Sequence, residues 1–189
     1  SWNDGYYSNR YNWITGAATW TINPNNALSF IGGGNLGHTR HTDFATPLAQ
    51  NNGELYDLLY TWNSGPWMLS PGFQYNHVSK EAGMGIAADA SAFGAALLGK
   101  YSFNRNWSLA GRAEYINSKG STAGANLLYG PNSNAWSATI TPTYQQGIWF
   151  GRAEASYVRA DNVTSGSAFG VAGDDKSQTR LLLEVGSLF

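Results

Sequence analysis

The chain has 189 residues, 11 Lys and Arg against 12 Asp and Glu, a net charge of −1 and no cysteine. Charged residues make up only 12% of it, which leaves no basic stripe and excludes nucleic acid as an expected partner. The lack of cysteine excludes disulfide and thiolate chemistry. No window approaches the ~18 apolar residues of a membrane-spanning helix.

Nine segments show the period-two alternation of strands: 11–22, 27–36, 54–62, 67–76, 91–103, 107–116, 135–145, 148–158 and 179–189. The first two are joined by "NPNN" (23–26), and "NSGP" (63–66), "NRN" (104–106) and "QG" (146–147) join later pairs, all with turn-forming residues. Between these pairs lie long stretches rich in Gly, Ser, Asn and Asp: 37–53, 78–90, 117–134 and 159–177. Short turns on one rim and long loops on the other are the arrangement of an outer-membrane barrel, whereas a soluble meander has no reason to sort its loops by length.

In six of these segments the apolar face begins and ends on an aromatic residue: Tyr56 to Trp62, Trp67 to Tyr75, Phe93 to Phe103, Trp107 to Tyr115, Trp136 to Tyr144 and Trp149 to Tyr157. An eight-residue separation spans ~26 Å, or ~20 Å of height once tilted, close to the apolar band between interfacial girdles. Trp and Tyr favour such interfaces because the ring is apolar while its N–H or O–H stays wet. Trp20, Trp62, Trp67, Trp107 and Trp149 fall on the short-turn rim, and Tyr is commoner on the other. A soluble barrel needs bulky side chains mid-strand to fill its interior; here the mid-strand residues are mostly small and the large ones terminal, the reverse pattern.

In "WSLAGRAEYI" (107–116) and "WFGRAEASYV" (149–158), putting the aromatic set on lipid turns Arg112, Glu114, Arg152 and Glu154 inward. The same register turns Asp57, Lys100, Arg180 and Glu184 inward, so four cations and four anions can pair across a polar lumen. At least one Arg–Glu pair between adjacent strands is expected. A charge on the lipid side costs roughly 2–4 kcal/mol at the midplane, which fixes the register.

The remaining motifs have plainer readings. "GGGNLG" (32–37) fits a dinucleotide fingerprint but has no following helix to present its N–H groups, so no cofactor is expected. His38, His41 and Asp43 lie in a long loop without the helical frame of a metal site, and "GDDK" (173–176) offers too few ligands for Ca²⁺. "NVT" (162–164) has the form of a glycosylation acceptor, which carries little in a bacterial loop. His77, beside Asn76 and Ser79, has no acid in view to orient it, so no catalytic residue is assigned. Pro71 and Pro142 interrupt strands and predict a local bulge or a missing ladder bond.

Several stretches resemble the OmpL-like β-barrel porins: "WNDGYYSNRYNW" (2–13), "GGGNLG" (32–37), "LLGKYSFNRNWSLAGRAEYI" (97–116), "NLLYGPNSNAWSATITPTYQ" (126–145), "GRAEASYV" (151–158) and "KSQTRLLLEVGSLF" (176–189). The resemblance covers nearly the whole chain and implies an integral outer-membrane barrel of a diderm bacterium, with this chain a C-terminal portion of a longer protein. Terminal Phe189, with Leu181, Leu183 and Val185 alternating before it, resembles the signal read by the outer-membrane insertion machinery.

The expected fold is thus all-β: one antiparallel up-and-down transmembrane barrel domain over 1–189, with about nine strands visible. A periplasmic C-terminus puts Ser1 on the outer side, and an odd count leaves two edges open, so further N-terminal strands are expected to pair with 11–22 and 179–189. The expected pore lining is Asp57, Lys100, Arg112, Glu114, Arg152, Glu154, Arg180 and Glu184. The expected membrane interface is Trp20, Trp62, Trp67, Tyr75, Trp107, Tyr115, Trp136, Tyr144, Trp149 and Tyr157. The function expected is passive diffusion of small polar solutes. The alternative is a non-conducting barrel that anchors an outer-membrane partner. The partners expected are the lipid bilayer, the insertion machinery during assembly, the solutes themselves, and a second copy or another outer-membrane protein.

Overall fold

The computed structural model describes residues 2–3, 11–40 and 48–188. A single sheet holds β1 (Trp2–Asn3), β2 (Tyr11–Asn23), β3 (Asn26–Asn35), β4 (Gly53–Ser64), β5 (Trp67–Val78), β6 (Ala90–Ser102), β7 (Trp107–Lys119), β8 (Asn134–Gln146), β9 (Trp149–Asp161) and β10 (Ser177–Ser187). Its order is the chain order and every neighbouring pair is antiparallel, so the topology is up-and-down throughout. Among the described residues the sheet does not close: β10 pairs only with β9, and the far edge of β2 meets only the two-residue β1.

Each of the nine long strands falls on an expected segment, and several run further toward the long loops than the alternation does. β7 continues to Lys119 and β9 to Asp161. Backbone pairing continues there after the apolar pattern has ended. β1 was not expected, since two residues carry no readable period. The same holds for α1 (Leu48–Asn51) and the single 3₁₀ turn Ala82–Met84, both inside long loops. Short-turn chemistry is as the sequence suggests: the Asn104 carboxamide oxygen accepts the backbone N–H groups of Asn106 and Trp107, each at 2.9 Å.

The two prolines produce missing bonds rather than bulges. On the β4 side of β5, pairing runs to Leu59↔Gly72 and resumes at Trp62↔Leu69 in the same register, leaving Tyr60 opposite Pro71 without a ladder partner. The Ser70 hydroxyl donates to the Tyr60 carbonyl at 2.9 Å and so replaces the absent proline N–H. Pairing of β8 with β9 skips Pro142 in the same way, between Ile140↔Ala155 and Thr143↔Arg152.

Buried residues do not form a central core. Val78, Ala90, Ala92, Ala135, Ala160, Ser118 and Ser133 lie at the long-loop ends of strands or beside them. Large apolar side chains are exposed along the sheet instead, among them Trp20, Phe73, Leu97, Ile140 and Leu183. Such exposure is the inverse of a water-soluble fold.

Candidate functional site

Strand alternation gives the sheet two unlike faces. One face carries most of the large aromatic and aliphatic side chains of the long strands, among them Trp20, Trp67, Phe73, Leu97, Trp107, Ile140 and Trp149. The other encloses a cavity of about 680 Å³ whose lining runs from Ile31 on β3 to Arg180 on β10, so the sheet curls around it. The first is the outer face of the curl and the second its inner face.

All eight charged residues of the expected pore lining share the inner face. Asp57 stands opposite Ile31 and Gln74, and Lys100 opposite Met68 and Ala110. Arg112 and Glu114 are separated by Ala113 on β7, Arg152 and Glu154 by Ala153 on β9, and Arg180 and Glu184 lie on β10. Asp57, Arg112, Glu114 and Arg180 line the larger cavity, while Lys100, Arg152 and Glu154 line a second of about 460 Å³ toward the short turns.

Two pairs bridge β9 and β10. Arg152 Nη2 lies 2.5 Å from Glu184 Oε2, its Nε donates to the same oxygen at 2.7 Å, and Arg180 Nη2 donates to Glu154 Oε1 at 2.6 Å. Arg112 instead meets Glu114 of its own strand, at 3.2 Å, and that carboxylate also accepts the Ser137 hydroxyl of β8 at 2.6 Å. Residues two apart on a strand share a face, so this pair needs no neighbouring strand. Asp57 and Lys100 make no ion pair among the described residues.

The inner face is not uniformly polar. Ile31, Leu59, Ile116 and Val158 line the larger cavity beside the charges. Sequence reasoning also missed Tyr129 and Phe169, which reach the same cavity from the β7–β8 and β9–β10 loops with ring centroids 5.0 Å apart. Neither belongs to a strand, so no period announced them. Partial burial raises the Tyr129 phenol above its ordinary range.

The ten residues expected at the membrane interface lie on the outer face. At the short-turn rim Trp20 and Trp149 are 66% and 65% exposed, Trp67 packs on Tyr101 at 4.5 Å and Trp107 on Tyr144 at 4.9 Å, and Trp62 is half-buried. At the other rim Trp136 packs against Tyr157 at 5.3 Å, with Tyr75 and Tyr115 exposed. The rims are therefore mixed: Tyr144 belongs to the Trp-rich rim and Trp136 to the Tyr-rich one.

His77 stacks on Tyr75 with ring centroids 6.2 Å apart and has the Ser79 hydroxyl 3.5 Å from Nδ1. The register does put an acid opposite it, Glu54, which the sequence alone did not reveal. That carboxylate accepts the Tyr56 hydroxyl at 3.3 Å and makes no bond to His77 among the described residues. His38 pairs with Glu81 at 3.4 Å, while His41, Asp43 and the terminal Phe189 lie outside the described residues. No group of three metal-binding side chains occurs among the described residues.

An open antiparallel sheet with an apolar, aromatic-rimmed outer face and a charged inner one defines the class: a β-barrel protein of the porin type. The family described as "Putative beta-barrel porin-2, OmpL-like" matches residues 1–189, and the chain belongs to it. This is a family of outer-membrane β-barrels, which supports a porin-type role in general and points to a non-enzymatic protein. No curated protein matches the chain. No helix among the described residues is long and apolar enough to cross a membrane, which says nothing about strands that do.

Proposed function

We propose that the chain is an integral outer-membrane channel through which small polar solutes diffuse passively along the inner face. The observation that carries this is the opposition of the two faces: four cations and four anions share the inner one, and the exposed Trp, Leu and Phe side chains share the outer. Balanced charges with Ser, Thr and Gln between them hold water and give weak ion selectivity. The eight charged residues named above line the path, and the ten aromatics sit at the two lipid interfaces. Phe189 serves as the insertion signal.

A sealed lumen needs more strands than those described, because the outer edges of β2 and β10 would leave backbone groups unpaired in lipid at several kcal/mol each. We infer that these edges pair with further strands, from the same polypeptide or from another chain. The second reading, a non-conducting barrel that anchors a partner, draws on one observation: Tyr129 and Phe169 from two long loops meet and line the inner cavity.

Planar-bilayer recording with purified full-length protein separates the two. Stepwise conductance that scales with salt supports the channel. A silent bilayer with a stably co-purifying outer-membrane protein supports the anchor.

A further inference from the structure

The larger inner cavity is built differently from the rest of the inner face. Its volume of about 680 Å³ falls within the roughly 300–1,000 Å³ of small-molecule sites. Two loop aromatic rings, Tyr129 and Phe169, 5.0 Å apart between centroids, line it together with Ile116, Arg112, Glu114 and Arg180 of the strands. We propose that this cavity is a binding site for neutral saccharides, with the sugar ring seated against Tyr129 and Phe169 and its hydroxyls on the Arg and Glu side chains beneath.

Three observations carry the assignment. The first is rigidity. Tyr129 N–H donates to the Ser133 hydroxyl at 3.2 Å and its carbonyl accepts the Thr164 N–H at 2.9 Å, which ties one loop to the other. Phe169 exchanges two backbone bonds with Asp175, each 3.0 Å. Each ring is followed by a left-handed glycine, Gly130 at φ 115° and Gly170 at φ 79°, where a Cβ would strike Thr164 and the Asp175 carboxylate respectively. The backbone that carries each ring is therefore held before any ligand arrives, and the rings pack on each other at 5.0 Å, which lowers the ordering cost of binding.

The second is charge. The side chains lining this cavity include two cations, Arg112 and Arg180, and two anions, Asp57 and Glu114, so they carry no net charge to recruit an ion. Arg112 already has a carboxylate at 3.2 Å and Arg180 one at 2.6 Å. A guanidinium so neutralised still has N–H donors to spare, and the carboxylates keep lone pairs. Neutral hydroxyls, which donate and accept at once, match that set.

The third is the aromatic surface itself. Ring faces are electron-rich and attract the slightly positive C–H groups of a flat apolar surface. A pyranose has such a face on one side and polar groups around its edge.

The inference deepens the channel reading of the same face, but it concerns binding and is tested without conduction. Full-length protein in detergent micelles is titrated with cellobiose, whose equatorial hydroxyls leave flat C–H faces, using saturation-transfer NMR. Benzoate and phenylalanine serve as anionic and zwitterionic competitors. Saturable cellobiose transfer is expected, weakened roughly tenfold in Tyr129→Ala/Phe169→Ala and within about twofold of the parent in Phe169→Tyr. Should the double variant fail to fold, as judged by heat-modifiable gel mobility, Phe169→Leu keeps the bulk and is expected to weaken transfer roughly threefold. The proposal is overturned if cellobiose gives no saturable transfer, if the folded aromatic variants bind it as the parent does, or if benzoate or phenylalanine binds more tightly. Silent bilayers with intact cellobiose binding would refute the channel and leave this site standing.

Discussion

The two faces of β7 differ at every step. Trp107, Leu109, Gly111, Ala113 and Tyr115 point outward with no charge among them, while Ser108, Arg112 and Glu114 point inward. The outer set is large at its ends and small in the middle, as a surface between two lipid interfaces requires. The inner set holds its charges by pairing: Arg112 with Glu114, and Glu114 with Ser137. Adjacent residues thus belong to opposite faces of unlike polarity. The proposed membrane placement rests on the sign of that contrast, not on the mean hydropathy of −0.33, which averages it away.

Moving one charge by one position is expected to have the largest effect. Leu97 faces outward near the middle of β6, and Ala96 faces inward opposite Glu114. Leu97→Arg is expected to lose about 2–4 kcal/mol of folding free energy in bilayers, read by urea titration of reconstituted protein. Ala96→Arg, with Glu114 across from it, is expected to be near neutral. Equal losses would remove the distinction between the faces.

A smaller effect tests the repair at Pro71. Ser70→Ala leaves the Tyr60 carbonyl unpaired and is expected to cost about 1–3 kcal/mol in the same titration. Ser108→Ala, which removes no hydroxyl bond seen among the described residues, serves as the control.

Charge balance on the inner face gives a third test. Arg112→Ala with Arg152→Ala leaves two cations against four anions, so a conducting pore is expected to become more cation-selective. The reversal potential in a salt gradient measures this, and an unchanged value would mean that these residues do not line the path.

The least effect is expected in the β9–β10 loop. The Ser165 hydroxyl, donating at 2.8 Å, and then the Gly166 N–H at 3.0 Å hold the Asp174 carboxyl below its usual range. A depressed carboxyl contributes stability that is present above its unfolded value and lost as pH falls through the folded one. The loop is therefore expected to become protease-sensitive only below the ordinary carboxylate range, and in Asp174→Asn already at neutral pH, with conductance unaffected.

What the sequence made legible follows from periodicity. Strands of ten or more residues repeat their alternation often enough to indicate a face, and the eight mid-strand charges were assignable from it. Glu54, Lys119, Arg159 and Asp161, at the strand ends where the apolar pattern stops, were not. The pairing partners were less legible. Arg112 lies on the same strand as Glu114 and takes that nearby acid, whereas Arg152 and Arg180 reach across to β10 and β9, a choice that depends on strand stagger. Tyr129 and Phe169 lay beyond reach because loop hydrogen bonds, not a repeat, place them. The signal present was local: an aromatic followed by glycine in each of two loops, Tyr129–Gly130 and Phe169–Gly170.

Spin-label scanning of β7 distinguishes a lipid-facing set of residues from a water-facing one. The chain has no cysteine, so single cysteines at positions 107–116 label cleanly without a background to remove. In reconstituted vesicles collision with oxygen, which concentrates in lipid, is expected to peak at 109, 111 and 113. Collision with a water-soluble nickel chelate is predicted to peak at 108, 110, 112 and 114. The opposite phase, or nickel access to both sets alike, would contradict the placement of lipid on one face and water on the other.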